Sequence, residues 1–517
     1  MLTCLYLSAT SISMELQNSD IYFSSKPFDV FVNGVKSLQN VQTNVFSLFG
    51  LKPNEAYTIE VFEESLTIHT LPESECIDVS TKGIIGDSLT NQTSAIQQLI
   101  DTINDHGRLY FPQGDYLTGP LFLKSHITIE LAKGAVLRGL TSREAYPILP
   151  SSTILPNGSI QEVSSWEGES LPTFASLITG VRVEDVHIIG QGILDGNGQN
   201  GDWWLYPKDA KGGAYRPKTI FLSFCDHITL HGIQVQNSPS WTIHPYFSNH
   251  VQVIDCLIMN PKDSPNTDGC NPESCTHVEI IGVDFSVGDD CIAIKSGKYT
   301  MGMTYKQPSS DITIRNCRMQ FGHGAIVLGS EMSGGIKDLS VRNCLFVDTD
   351  RGLRVKTRRG RGNSAIIDGI VFEHIRMDGV LTPLVINMFY NCDPLDGKTE
   401  YVYSKEVLPI DHKTPYLGTF TFRDISCVNV HVASGFFYGL PEQPIQSIVM
   451  DRVSFEYAPN RIKGVPAMMS FLEPMEGTGL HFYHVKKVQL HHVECIPPMG
   501  EKIILFESSI EDLANPL

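Results

Sequence analysis

The chain has 517 residues, 42% of them hydrophobic, enough for a large core and for one to three domains. Its 57 acidic residues against 39 Lys plus Arg give a formal charge of -18, which argues against a general nucleic-acid binder. No apolar run approaches the length of a membrane-spanning helix.

Met1 to Ser13 is mildly apolar but has no Lys or Arg and no clear small-residue cleavage site, so it reads as a poor signal peptide, with Met14 as the expected start. Residues 14–75 carry short alternating runs such as Phe28 to Val32, Val45 to Leu48 and Tyr57 to Val61, separated by turns such as Asn33-Gly34. That pattern predicts a small β-sandwich, and Leu51 to Tyr57 resembles the segment that carries the tyrosine corner in fibronectin type III domains. Thr93 to His106 places Ile96, Leu99, Ile100 and Ile103 on one face, which predicts a helix capped by Asn91 or Thr93 and ended by Gly107. Such a helix would cover the open end of the strand repeats that come after it.

From residue 76 onward the chain repeats one phrase: a strand, a polar or Gly/Asn corner, then another strand. Copies begin at Ile127, Val186, Ile228, Val251, Val278, Ile312, Leu339 and Ile370, with weaker ones at Phe420, Ile448 and Val488. A variable period with short strands is the mark of a solenoid. It lacks the Leu/Asn frame of leucine-rich repeats and the longer uniform period of propeller blades. The expected fold is therefore all-β, a right-handed parallel β-helix over residues 76–517 behind a β-sandwich over residues 14–75. Inward positions are expected to stack as aliphatic and cysteine ladders. Of the twelve cysteines, Cys225, Cys256, Cys291, Cys317, Cys344 and Cys427 lie in strand-like runs and read as small buried hydrophobes. Cys270 and Cys275 are close enough for a loop disulfide, but reduced thiols and a cytoplasmic location fit the whole set better. No His/Cys cluster has zinc-ligand spacing. Inserts break the period at 141–177, 298–311 and 381–418, and loops of that length usually carry function.

The chemistry-bearing residues fall on successive coils. Asp268 lies in Asn266-Thr267-Asp268-Gly269, Asp289 and Asp290 follow Gly288, His323 sits between two glycines, and Arg354 and Lys356 alternate in one strand. One coil per step puts all of them on one face, in a cleft of roughly 15 Å along the axis. Adjacent strand residues point to opposite faces, so Asp289 and Asp290 both reach the cleft only from a corner or bulge, which Gly288 can supply. Cleaving a glycosidic bond needs one protonated carboxyl for the leaving oxygen and one carboxylate to activate water or attack carbon. Crowded aspartates supply both states, because mutual repulsion raises one pKa. Arg354 and Lys356 suit a uronic acid: the guanidinium pairs with a carboxylate through two hydrogen bonds, and the ammonium acts as a point charge.

In this order, the NTD, GDD, GHG and R-x-K motifs resemble glycoside hydrolase family 28, the polygalacturonases, and Phe111 to Leu121 is similar to that family's first coil. The resemblance covers about residues 76–500. It implies single displacement with inversion, Asp289 as the general acid, Asp268 and Asp290 as the pair that activates water, and His323 as a supporting histidine. It also implies Arg354 and Lys356 as binders of the substrate carboxylate; Asn266, Lys295 and Tyr390 complete the expected substrate-binding set. The family's usual R-I-K is R-V-K here. No cofactor and no metal are expected. The expected partner is an oligogalacturonide or other acidic pectin-derived saccharide, with neither nucleic acid nor membrane, and a homo-oligomer is compatible with the sequence. A fibronectin-like domain ahead of the β-helix resembles exo-acting bacterial members, so the expected activity is hydrolysis of α-1,4-galacturonosidic bonds from the non-reducing end, with the inserts at 141–177 and 381–418 as candidate end walls. The alternatives are a glycosidase for branched pectin fragments (xylogalacturonan or rhamnogalacturonan oligomers), a lyase on the same fold, and a non-catalytic polysaccharide-binding β-helix. Arg358, Arg359 and Arg361 read as a solvated or substrate-steering patch. Trp203 and Trp204 suit either sugar stacking or plugging of the outer sheet.

Overall fold

The structure, a computed structural model, describes residues 1–392, 398–497 and 502–514. The N-terminal part is two antiparallel sheets. Leu2–Leu7, Ser11–Leu16 and Val45–Phe49 form one, and Phe23–Val32, Val35–Thr43, Ala56–Val61 and Glu64–His69 form the other. Alternate residues of both sheets, among them Ile12, Met14, Phe28, Val30, Phe46, Leu48, Ile59 and Val61, meet in one buried cluster. The Tyr57 hydroxyl accepts the Lys52 N–H at 2.9 Å.

The sandwich does not begin at Met14. Leu2–Leu7 pairs antiparallel with Ser11–Leu16, and Leu2 is buried in the same cluster. The hairpin turn is held by the Ser8 hydroxyl, which accepts the N–H groups of Thr10 and Ser11 at 3.1 and 2.9 Å. The sandwich is bonded to the solenoid through buried polar groups. Arg315 pairs with Glu15 at 3.1 Å, Ser47 donates to Asp255 at 2.5 Å, and Thr10 donates to Glu130 at 2.7 Å.

From Cys76 onward the coil strands run parallel, each pairing with its counterpart one coil on, and only the 141–177 insert adds antiparallel strand pairs among the described residues. One column runs through Gly107–Phe111, Ile127–Leu131, Glu184–Gly190, Asp226–His231, Asn249–Ile254, Thr276–Ile281 and Ser309–Arg315. A second runs through Gly114–Thr118, Ala135–Gly139, Ile193–Asp195, Gln234–Gln236, Leu257–Met259, Asp284–Val287 and Arg318–Phe321. In later coils one bent strand, such as Ile336–Val347 or Ile366–Asp378, spans both columns. The third column carries the cleft. It passes from Ile220–Ser223 and Ile243–Tyr246 through bridges at Cys270 and Glu273 to Ile292–Ile294, Ile326–Gly329, Arg351–Lys356 and Thr382–Asn387.

Period-2 alternation sends every second side chain inward, so like residues stack. Ile280, Ile314, Val341, Phe372, Phe422, Met450 and Leu490 form one such inward column. Each large aliphatic or aromatic side chain buried this way contributes about 1.5–3 kcal/mol. Nine cysteines, including all six in strand-like runs, are buried, and all twelve are free thiols, Cys270 and Cys275 included. The expected helix forms as Thr93–Thr102, with Asn91 accepting the Thr93 N–H at 3.0 Å and Ile96 and Ile100 buried in the solenoid core. It stops short of His106 because Ile103 is already extended and the chain turns into the first coil strand at Gly107. The expected insert at 381–418 begins later: Thr382–Asn387 is a regular coil strand, and the excursion starts after Asn387. Residues 393–397 of that insert lie outside the described residues.

Candidate active site

Successive corners are stacked by backbone hydrogen bonds. Thr242 N–H donates to Asp268 O at 2.8 Å, Gly269 N–H to Asp290 O at 3.0 Å, His323 N–H to Asp289 O at 3.1 Å, and Asp350 N–H to Gly322 O at 3.0 Å. This ladder brings Asp268, Asp289, Asp290 and His323 to one edge of the third column. Asn266, Lys295, Arg354, Lys356 and Tyr390 join them around a single cleft of about 430 Å³.

Asp289 and Asp290 sit in the corner between Asp284–Val287 and Ile292–Ile294, not within a strand. Gly288 permits that corner: a Cβ there would lie 2.5 Å from Ser264 O and 2.6 Å from Pro261 O, both backbone atoms of the preceding coil. Gly322 does the same one coil on, where a Cβ would stand 2.6 Å from Asp289 O. The two aspartates are therefore presented by close backbone approach that only glycine allows.

Asp268 is buried and accepts from Asn271 Nδ2 at 2.7 Å. Burial, reinforced by the charges of Asp289 and Asp290, pushes its pKa well up, and Lys295 only partly offsets this. Asp290 goes the other way. Burial alone would raise it, but Lys356 Nζ donates to Oδ2 at 2.7 Å and Arg354 Nη1 to Oδ1 at 3.2 Å, and the two cations hold the carboxyl below its ordinary range. The two carboxyls are thus pushed in opposite directions, Asp268 toward its neutral form and Asp290 toward its charged one. Asp289 is half-buried; its Oδ1 accepts the Asp290 N–H at 2.9 Å and its Oδ2 the Asn266 amide at 3.4 Å. Asn266 is fixed from behind by Arg216, which donates to its Oδ1 at 2.7 Å.

His323 is exposed at the cleft rim with Nδ1 2.8 Å from Asp350 Oδ2. That hydrogen bond, against the effect of burial, raises its pKa, and the charges of Asp289 and Asp290 add to it. Lys295 is buried, donates to Glu331 at 2.8 Å and lies 4.5 Å over the Trp241 ring. Burial would favour its neutral form, but Glu331, Asp268 and Asp290 outweigh that and keep it charged. Tyr390 is almost fully buried, with Lys356 Nζ 5.8 Å from its ring centre.

Trp241, Glu331, Asp350, Glu167 and Lys208 also line the cleft and have no part in the sequence reading. Stacking gives a signal for two of them. Trp241 directly precedes Thr242, which bonds to Asp268, and Asp350 bonds to the His323 corner. Arg358, Arg359 and Arg361 are not the solvated patch expected of a cation run: they are 4%, 1% and 2% exposed. Arg359 makes a two-pronged pair with Glu442 at 2.6 and 2.8 Å, because the segment after Asn387 folds over this stretch. Trp203 is a plug, fully buried between Tyr146 and Phe174 with the Arg143 guanidinium 4.2 Å over its ring. Trp204 is tied down by its Nε1–H to Ser238 O at 3.0 Å.

A parallel β-helix with a cleft that gathers three aspartates, two of them shifted in opposite directions, against a wall of cations is the architecture of a polysaccharide-cleaving enzyme. Comparison with known proteins agrees: the profile of Glycosyl hydrolases family 28 matches residues 123–407. The chain is 31% identical over 391 residues to a probable polygalacturonase of Vitis vinifera, covering 74% of each. It is 25% identical over 474 residues to an exo-poly-alpha-D-galacturonosidase of Dickeya chrysanthemi, covering 78% of this chain and 73% of that one. Among solved structures, the family 28 exopolygalacturonase of Yersinia enterocolitica superposes with a TM-score of 0.72 over 100% of this chain and 99% of its own, at 18% identity. The chain belongs to glycoside hydrolase family 28 and is a glycosidase.

Proposed function

We propose that the protein hydrolyses α-1,4-galacturonosidic bonds of oligogalacturonides with inversion, acting from the non-reducing end. Asp289 donates a proton to the leaving glycosidic oxygen. Asp290 takes a proton from a water that attacks the anomeric carbon from the opposite face, and Asp268 shares that water as the protonated partner. His323 supports the acid side, and Arg354, Lys356, Lys295, Asn266 and Tyr390 hold the sugar and its carboxylate. The observation that carries this reading is the set of hydrogen bonds from Lys356 and Arg354 to Asp290, which favours a charged base beside Asp268 among cations that also suit a uronate. Galacturonan hydrolysis is further supported by the names of the relatives, and action from one end by the exo-acting one.

Support for a blocked end comes from the insert at 141–177. Gly168 O accepts the Lys298 N–H at 2.8 Å, and a Cβ at Gly168 would lie 2.7 Å from the Glu331 side chain. Glu167 pairs with Lys208 at the cleft, and Trp166 stacks on Tyr215 at 5.0 Å. These contacts build a wall against the cation cluster. The free thiols support action on short oligomers in the cytoplasm.

The test is product analysis on a trimer-to-hexamer series of oligogalacturonides, with Asp289→Asn as control. Monomer or dimer from the first time point, absent with the variant, is the expected result. A spread of mid-length products would overturn the exo mode, and no cleavage by the parent protein would overturn the substrate.

A further inference from the structure

The solenoid carries a second ladder of chemistry-bearing residues on a different corner from the cleft. At the start of each first-column strand, one position before the first inward residue, the backbone is left-handed, and in successive coils that residue is His106, His126, Asp185, His227, His250 and His277, with φ between 49° and 60°. Strand stacking spaces these corners about 4.8 Å apart. Two side chains one coil apart can therefore aim at a common point.

In the first three coils they do. His106 Nδ1 lies 3.3 Å and His126 Nδ1 3.2 Å from the same oxygen, Asp185 Oδ2. The three ligand atoms all lie within 4.8 Å of one another. Bonds of 2.0–2.1 Å in a tetrahedral zinc site put neighbouring ligand atoms about 3.3 Å apart. Behind them is an ordered partner chain. His187 Nε2 is 3.2 Å from Asp185 Oδ1, and the Tyr6 hydroxyl of the N-terminal sheet is 3.2 Å from His187 Nδ1. His187 thus bridges the Tyr6 hydroxyl and Asp185 Oδ1, and the tautomer that accepts from tyrosine at Nδ1 donates Nε2–H to Asp185. A carboxylate ligand fixed through its second oxygen is the usual outer-partner arrangement of a metal site.

The next coils hold a related group, with His227 Nδ1 and His250 Nδ1 at 3.1 and 3.0 Å from Asp226 Oδ1. It differs in two ways: His227, His250 and His277 stack face to face at 4.3 and 4.7 Å, and His250 Nδ1 also meets the Asn249 amide at 2.8 Å.

We propose that His106, His126 and Asp185 bind a divalent transition-metal ion of the zinc class, oriented by His187 and Tyr6. The ion would clip the first three coils together and tie the N-terminal sheet to them, a structural role remote from the cleft.

The experiment uses the full chain, stripped with chelator, dialysed and titrated calorimetrically with zinc chloride. One tight equivalent is expected, with a rise in thermal midpoint on zinc addition. Asparagine tolerates the left-handed backbone, so His126→Asn and Asp185→Asn remove a ligand without straining the corner. Each is expected to weaken zinc binding by about 100-fold or more, and Tyr6→Phe by about 10-fold, with hydrolysis in the cleft unchanged. Absence of tight zinc binding by the parent protein would overturn the proposal. So would undiminished affinity in both asparagine variants, or loss of binding in His227→Asn instead.

Discussion

Lys356 reaches back across two coils to donate a 2.7 Å hydrogen bond to Asp290, and both side chains are buried. The register fixes this reach, because Ile292, Ile326 and Leu353 are direct neighbours in three successive strands. The bond favours the carboxylate form of Asp290, and without it the buried charge would keep the Arg354 hydrogen bond and the field of Lys295 alone. Lys356→Met is expected to cost about 3–5 kcal/mol of stability, as breaking a buried pair does. It is also expected to move the acid limb of the pH–rate profile upward, since the depressed pKa of Asp290 loses its larger electrostatic support. The double variant Lys356→Met/Asp290→Asn regains stability but not hydrolysis, which urea unfolding and product assays would separate. If the double variant were as unstable as the single, the uncompensated charge would not be the cause.

Gly288 tests the corner itself. Gly288→Ala drives a Cβ to 2.5 Å from a backbone oxygen of the coil before, which has no flexible side chain to yield. The expected result is a fall in kcat of about 100-fold, because a displacement of about 1 Å at the reacting groups costs that much. Secondary structure should be intact by circular dichroism. Unchanged kcat would mean that the corner is not what presents Asp289 and Asp290.

The coils and the aspartate trio are legible in the sequence because both signals are local. A strand–corner–strand phrase repeats in place, and each motif spans only a few residues. Glu331 is hidden because its meaning lies in Lys295, 36 residues earlier, and Glu442 lies 83 residues from Arg359. Charge patterning assumes solvent around a run of cations, and here the segment after Asn387 removes that solvent. The first strand escapes for a related reason: Met1 to Ser13 reads as a poor signal peptide ahead of a start at Met14, whereas Leu2 is buried in the sandwich core and, beyond a bulge, Tyr6 against Ile189 and Ile254 of the solenoid.

Arg359 holds that covering segment in place. It donates to Glu442 twice and to the carbonyls of Tyr401, Ser404 and Glu406 at 2.7–3.1 Å. Arg359→Ala should destabilise the protein by about 3–5 kcal/mol by leaving Glu442 buried and unpaired. Below the unfolding transition, kcat/KM and its salt dependence should match the parent. A steeper loss of activity at low salt than at high salt would restore the steering role.

The seam between sandwich and solenoid holds a partly buried carboxyl and a fully buried imidazole whose titrations oppose each other. Burial raises Asp255 to about 7, despite its hydrogen bond from Ser47, and lowers His231, bonded to the same hydroxyl at 2.9 Å, to about 3. A carboxyl raised in the fold binds more protons folded than unfolded between about pH 4 and 7, so its contribution is full below pH 4 and is lost as pH rises through 7. A histidine lowered in the fold acts the other way, and stability is lost as pH falls from about 6.5 toward 3. The two slopes cancel between about pH 4 and 6.5, and above that only Asp255 acts. Asp255→Asn keeps the side-chain volume and removes the charge. It is expected to leave stability near pH 4 little changed and to raise it by roughly 2–4 kcal/mol at pH 8. Urea midpoints of parent and variant at the two pH values would measure this, and an equal shift at both would assign the effect to packing at the seam and not to the carboxyl's titration.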